Sequence, residues 1–338
     1  MKPTDTINVG WVDYYNLLPL KLELQRLWRK SISFTFAPPR QINKKLRERQ
    51  VDVAMGSSIC LAAYKGIDMA LPLGVACDGA VQSVYIGFVK SNTRVIDHIK
   101  ARNYELAARC RTKIAADRHD FRGLARLIFA QTEALAFPYP PQIKLSPHSF
   151  ASNSLTQIFY YLWFGADCYS RFASRSVHWA ATDQADAYVV IGDEALTAAE
   201  KFAHVIDLGA VWKEITSLPF VYAVAMSASP LSRIWQQRIR NAADVANSKK
   251  LHDPQSYLQH VAETDRHSLD LCGYWRNIYY HLKEREFCGL YLFLNLYLLL
   301  PNTLDNTTML LSDSMSTRML HWESLANKAK ENESPNLL

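Results

Sequence analysis

Residues 7–19 read INVGWVDYYNLLP, and the rest of the chain is organised around them. Ile7, Val9 and Trp11–Val12 suit a buried strand, and Asp13–Tyr15 suit the turn that ends it. Asn16 stands three residues ahead of Pro19, the arrangement of a polar cap followed by proline in a helix's first turn. A strand that turns and opens a helix aims unpaired backbone N–H groups, and the positive end of the helix dipole, at one point. In an open α/β sheet, ligands bind at that point. Asn16 would stand there with an amide that both donates and accepts. This stretch alone leaves two roles open for it, helix cap or ligand-facing group.

At 338 residues the chain is long enough for two domains. Its 49% hydrophobic and 21% charged content is that of an ordinary soluble globular protein. Met1–Thr6 is polar and reads as no secretory signal. The most apolar run, Leu290–Pro301, is shorter than the ~20 residues a spanning helix needs, so a buried core element is expected there and no membrane partner. Six cysteines (60, 77, 110, 168, 272 and 288) form no CxxC pair, which fits free thiols in a reducing cytoplasm. The histidines never form HExxH or stand beside a cysteine pair, so no metal signature is present. Neither a P-loop nor GxGxxG occurs, and no nucleotide cofactor is expected.

Strand and helix alternate from residue 7 to about 90. Ser31–Phe36 reads as a strand, Gln41–Arg49 as a helix and Val51–Met55 as a buried strand. The turn Gly56–Ser58 then opens a second helix at Ile59, repeating the strand, small polar turn and helix of the first stretch. Ala70–Ala76 and Ser83–Lys90 are further apolar runs, and the pattern implies an α/β layer. A third polar helix start follows the strand Ile143–Leu145 at Ser146–Ser154, ahead of the aromatic helix Leu155–Phe164. The fourth, Gly192–Glu194, follows Ala187–Ile191, and Trp179–Thr182 and Val205–Leu208 also read as strands. Trp212–Phe220 crosses into the apolar strand Val221–Met226. Helices are expected over Leu231–Ala246, Pro254–Thr264, Ser268–Leu282, Gly289–Leu299 and Ser312–Ala326.

The net charge of +6 is concentrated. Between Arg94 and Arg126 nine basic residues stand against four acidic ones, a surplus of +5. Residues 94–137 therefore read as an inserted basic, helical excursion with a solvated face. No stacking or base-reading motif accompanies the charge, so no nucleic-acid partner is expected. Crossovers near Val84–Lys90 and Leu218–Met226 divide the chain into a discontinuous first lobe, 1–90 with 218–338, around a second lobe, 91–217. The four polar helix starts would then meet in a cleft between lobes, a favoured location for small-molecule sites.

Six segments in order carry a family resemblance: INVGWVDYYNLLP, VDVAMGSSI, DGAVQSVYIG, LSPHSFASNSL, ADAYVVIGDEAL and VIDLGAVWKEITSLPFVYAV. Together they resemble the chorismate dehydratases, menaquinone-biosynthesis enzymes of the futalosine route, over roughly residues 7–92 and 143–300. The resemblance implies a two-lobed α/β fold like the type 2 periplasmic binding proteins, used as a cytoplasmic enzyme. It implies a hydro-lyase that eliminates water from the dianion chorismate without a cofactor. Oligomeric state is not legible.

By the same resemblance, Asn16 orients the departing hydroxyl or the enolpyruvyl group, with Tyr15 standing where the family has leucine. Ser57 and Ser58 match a double serine after the second strand, and Ser83 matches another serine. All three are expected to donate to substrate carboxylates. Ser149, Ser152 and Asn153 lie at the third helix start, which would receive the second carboxylate, and Asp193 fits a helix cap or a latch beside the substrate. The family is thought to use the substrate's own enolpyruvyl carboxylate as base; His148 is the alternative in the protein. Ala151–Ser152 stands where the family has threonine-serine, Thr216–Ser217 where it has threonine-glycine, and the 94–137 stretch is unusual. Two other readings compete. One is the sibling enzyme that makes 1,4-dihydroxy-6-naphthoate, whose asparagine–aspartate–threonine motif and cleft histidine are missing here. The other is a non-catalytic small-anion binding protein of the same fold.

Overall fold

The computed structural model describes residues 6–116, 120–130, 132, 137–176 and 184–301. Among them, ten strands form two sheets: β1 (Ile7–Trp11), β2 (Ile32–Phe36), β3 (Val53–Ser57), β4 (Asp68–Cys77), β5 (Val84–Phe88), β6 (Ile143–Lys144), β7 (Ala187–Ile191), β8 (His204–Asp207), β9 (Phe220–Ser227) and β10 (Ile278–His281). The first sheet runs β10-β4-β9-β3-β1-β2 and the second β6-β7-β5-β8. Two compact units follow the sheets. One holds the chain up to Ala76 and Val221–Phe287; the other holds Cys77–Phe220 and the stretch that starts at Cys288.

In the first unit, β1 pairs in parallel with β2 on one side (Ile7↔Ile32 to Trp11↔Phe36) and with β3 on the other (Val9↔Val53, Gly10↔Ala54). Between these strands run α1 (Leu18–Trp28) and α2 (Pro39–Arg47), and α3 (Cys60–Ala63) follows β3. The chain thus steps outward from β1 to β2 and returns across it to β3. That reversal of direction is the kind of switch point at which open α/β sheets bind ligands, beyond the strands' carboxyl ends. All five residues of β3 are buried, as expected of a strand with neighbours on both edges and layers on both faces.

The second unit carries α4 (Thr93–Ala116), α5 (Phe121–Ala130), α6 (Ala151–Phe164), α7 (Ala166–Ser176), α8 (Asp193–Ala198) and α9 (Leu208–Thr216). Its central strand β5 runs antiparallel to both β7 and β8, while β6 lies parallel to β7. The remaining helices are α10 (Arg233–His252), α11 (Gln255–Leu258), α12 (Glu263–Ser268) and α13 (Leu271–Asn277) in the first unit, then α14 (Glu284–Leu299).

Several expectations are corrected. The lobe boundaries expected at 90/91 and 217/218 fall instead at 76/77 and 220/221, because β5 takes its hydrogen bonds from β7 and β8 and so belongs to the second sheet. The basic stretch has the solvated face expected of it, with Arg94, Lys100, Arg109, Arg111, Arg122 and Arg126 exposed, but it is also built into the core. Val95, Ile96, Ile99, Leu106, Ala107 and Cys110 are buried along one face of α4, at the three- and four-residue spacing of a core-facing helix. Polar groups on that helix are tied in as well. His98 Nε2 donates to the Trp163 carbonyl at 2.6 Å, and Asn103 bridges the Trp163 indole N–H (2.8 Å) and Glu214 (3.1 Å). Arg102 is buried and paired with Glu105.

The expected helix over Ser268–Leu282 divides into α13 and β10, whose Ile278–His281 segment takes the sheet edge beside β4. Trp212 lies in α9, a helix that the sequence reading passed over. The expected strand Trp179–Thr182 and helix Ser312–Ala326 fall outside the described residues. The apolar run near residue 290 is a buried helix, α14, with Leu290, Leu292, Phe293 and Leu294 fully enclosed. Among the described residues no helix is long and apolar enough to cross a membrane.

Inside the first unit a buried carboxylate ties three helices together. Glu23 on α1 accepts from Arg26 Nε (2.7 Å), Lys249 Nζ (3.2 Å) and the Tyr257 hydroxyl (3.1 Å). Burial alone would raise this carboxyl, but the donors outweigh it and hold the group below its ordinary value.

Candidate active site

Asn16 is not a helix cap. It sits in a 3-10 turn, Tyr15–Leu17, and the residue preceding α1 is Leu17, with no side-chain cap bond at either helix start. Its Oδ1 is shielded from solvent and has no hydrogen-bond partner among the described residues. A buried amide oxygen in that state costs about 1–3 kcal/mol unless something donates to it. Of the two roles open to Asn16, this geometry disfavours the cap.

Ser57 ends β3, buried, with its backbone N–H donating to Asn43 Oδ1 at 3.2 Å. Because β1 and β3 are parallel neighbours, Ser57 and the turn that follows Trp11 leave the sheet at the same edge. Ser58 departs from expectation. Fully buried, its hydroxyl donates to the Val221 carbonyl at 2.7 Å and its N–H to Tyr222 at 3.1 Å. The hydroxyl proton expected for a substrate carboxylate instead joins β3 to β9. Beside them, the Trp11 indole N–H is buried with no partner among the described residues.

The second unit gathers its own set. Register places the start of β5 against the ends of β7 (Val84↔Ile191) and β8 (Tyr85↔Asp207). Ser83, Gly192–Asp193 and Asp207 therefore share one sheet edge, and the loop Ser146–Phe150 leaves the parallel strand β6 toward that edge. The Gly192 N–H donates to the Ser83 carbonyl at 2.8 Å. Asp207, unnoticed at the level of sequence, holds the turn before Ser83. Its carboxylate accepts from the backbone N–H groups of Val81 (3.1 Å) and Gln82 (2.7 Å), and from Ala210 (2.9 Å) at the start of α9. Gln82 has φ 65° there. Burial pushes the Asp207 carboxyl up, and the backbone donors pull against that rise. The signal was present: an aspartate after the apolar run VI and ahead of LGAVW is a helix N-cap pattern.

At α6 the picture is mixed. Ser149 Oγ accepts from the Ser152 N–H at 3.0 Å, so Ser149 caps the helix and satisfies an N–H expected for a carboxylate. Asn153 is a second correction: its amide accepts from the Ser146 N–H (3.0 Å) and donates to the Ser146 carbonyl (2.7 Å), folding the loop onto the helix instead of facing a ligand. Ser152 is buried in the first turn and His148 is exposed. Asp193, half-buried, is the first residue of the short helix α8, where a carboxylate complements the dipole.

Gly192 enters α8 at φ 67°, ψ −148°, a conformation essentially confined to glycine. Gly192→Ala is expected to lower stability by about 1–3 kcal/mol and to shift Asp193 and the Ser83 turn together. A chemical denaturation midpoint unchanged from the parent protein would refute this.

A hollow of about 520 Å³ in the first unit lies elsewhere, along Leu22, Arg26, Arg29, Lys249 and Tyr257, and contains none of the candidate residues. Cys77 and Cys110 are buried and pushed up to about 12, far from a reactive thiolate.

A family model described as menaquinone biosynthesis matches residues 7–119 and 120–298, nearly all of the described chain. The chain belongs to this menaquinone-biosynthesis family. Both helices of the basic stretch lie inside the matched residues. A curated relative, chorismate dehydratase of Campylobacter jejuni, is 24% identical over 281 residues, 80% of this chain and 88% of the relative. Among solved structures, a protein from Archaeoglobus fulgidus superposes with a TM-score of 0.56 at 13% identity, covering 87% of this chain and 97% of that one. A Candida albicans gene product, described as defining a family with the generic periplasmic binding protein fold, gives 0.50 at 12% identity, covering 91% and 95%. The resemblance read from the six segments holds at the level of family, and the fold is that of the periplasmic binding proteins.

Proposed function

We propose that this member of the menaquinone-biosynthesis family is a chorismate dehydratase, a cytoplasmic hydro-lyase converting chorismate to 3-[(1-carboxyvinyl)oxy]benzoate and water. The unspent, buried Asn16 Oδ1 is the observation that carries the reading, and the Campylobacter jejuni relative supports its direction.

The reaction balances without a redox partner. The C3 hydrogen lies γ to the ring carboxylate through a double bond, so the electron pair freed on its removal is delocalised toward that carboxylate. Loss of the C4 hydroxyl then completes an aromatic ring, and the proton and hydroxyl leave together as one water. A protein need only hold the dianion rigidly, stabilise charge on the ring carboxylate and orient the leaving group. In this proposal the C4 hydroxyl donates to Asn16 Oδ1, which fixes the C4–O bond for departure. Ser57, Ser83 and Ser152 receive the carboxylates, and Asp193 stays outside the contact set as a latch. The substrate's enolpyruvyl carboxylate takes the C3 proton, because an amide cannot, and passes it to the departing hydroxide to form the water.

Purified protein supplied with chorismate is expected to consume it with the ultraviolet change of a new aromatic ring. No consumption by folded protein, with turnover of a cyclic futalosine derivative instead, would move the assignment to the sibling enzyme. Binding of either compound without turnover would point to a binding protein.

A further inference from the structure

The turn that carries Asn16 is closed by the backbone bonds Leu17 N–H to Tyr14 and Leu18 N–H to Tyr15, and is anchored further from outside. It lacks a side-chain cap at either end, and its side-chain anchors come from a segment some 250 residues later in the same unit. The Tyr280 hydroxyl, on β10, donates to the Asn16 backbone carbonyl at 2.8 Å. The Trp275 indole, on α13, donates to the Tyr15 carbonyl at 2.8 Å. The Tyr15 hydroxyl donates in turn to Asp265 Oδ2 on α12 at 2.5 Å. Tyr280 and Trp275 are both fully buried, and the Lys250 ammonium stands 4.1 Å over the Tyr280 ring centre.

We infer that Tyr280 is a positioning residue for the reaction: it sets the Asn16 amide by gripping that residue's own backbone carbonyl with its hydroxyl. This rests on the catalytic reading of Asn16. One phenolic and one indole bond from two fully buried rings hold successive carbonyls of the turn, and a side-chain amide must be held within about half an ångström to serve a transition state. A strand after a short helix, rather than the continuous helix expected at Ser268–Leu282, is what turns Tyr280 inward toward the first stretch of the chain.

Tyr280→Phe keeps the ring and removes the hydroxyl. With chorismate as substrate, kcat is expected to fall about 10–100-fold with KM within about twofold, and hydrogen exchange at Tyr14–Leu20 should quicken. In the Asn16→Ala background, where the backbone carbonyl remains, Tyr280→Phe should leave kcat unchanged, because the side chain it positions is gone. Equal losses in both backgrounds would mean that Tyr280 acts on stability or on another group, and would overturn the inference. Should Tyr280→Phe not fold, Trp275→Phe takes its place with the same coupling expected. If Asn16→Ala itself retains kcat, the catalytic reading fails. Faster exchange at Tyr14–Leu20 in Tyr280→Phe would then still establish the grip, and unchanged exchange would refute that too.

Discussion

Asn16→Ala is expected to lower kcat for chorismate by about 10²-fold, the order of loss when a group that orients the breaking bond is removed. The fold should survive. The side chain caps no helix, and its Oδ1 has no bond to lose among the described residues. Removing a buried, unsatisfied oxygen relieves a desolvation cost, so the denaturation midpoint should hold or rise slightly. Asn16→Asp gives a sharper test. The shape is kept, but a carboxylate beside the substrate's own two carboxylates repels them, so KM should rise along with the loss of kcat. A variant with unchanged kcat would return Asn16 to a purely local role, and an unfolded one would show that the oxygen was satisfied after all.

Lys250→Met is expected to stabilise the protein at neutral pH. The ammonium is 2% exposed, donates to the Ile278 carbonyl and lies over the Tyr280 ring. Burial drives its pKa from 10.5 down to about 7. The folded-state value is the lower one, so between about pH 7 and 10.5 the unfolded chain binds a proton that the folded chain has released. Stability of the parent protein therefore rises with pH across that window, and below it the full cost of a buried charge is present. Methionine fills similar volume without the charge but leaves the Ile278 carbonyl short of a donor, which offsets part of the gain. The net expectation is a stabilisation of about 2 kcal/mol near pH 6.5, shrinking toward zero or reversing by pH 10. Denaturant midpoints measured at both values test it, and a change of equal size at both would show that Lys250 keeps its proton throughout.

Reading the sequence went furthest where local chemistry and tertiary structure agree. The stretch at residues 7–19 gives its strand, its turn and the helix start before Pro19 without help from anything distant. β3 is legible for the same reason, as an unbroken apolar run that ends in small residues. Periodicity cannot tell what a hydroxyl or amide is bonded to. Ser58, Ser149 and Asn153 stand at turns where a ligand contact and a backbone contact look identical in sequence, and the backbone took all three. The strand Ile278–His281 was lost because a run of aromatic and β-branched residues suits helix and strand alike, and pairing with β4 decides between them. The charge surplus of residues 94–126 marks the solvated face of its helices and nothing more. Arginine and lysine set the composition of α4, but its apolar stripe sets its place.

The dehydratase assignment stands or falls on which bond of chorismate breaks, and proton NMR of the reaction mixture reads that directly. The ring methine signals are expected to give way to four aromatic protons of a meta-substituted ring, with both enolpyruvyl vinyl protons retained and no pyruvate formed. Free pyruvate beside 4-hydroxybenzoate would show that the C3 ether is cleaved instead of the C4–O bond, and would overturn the dehydratase assignment.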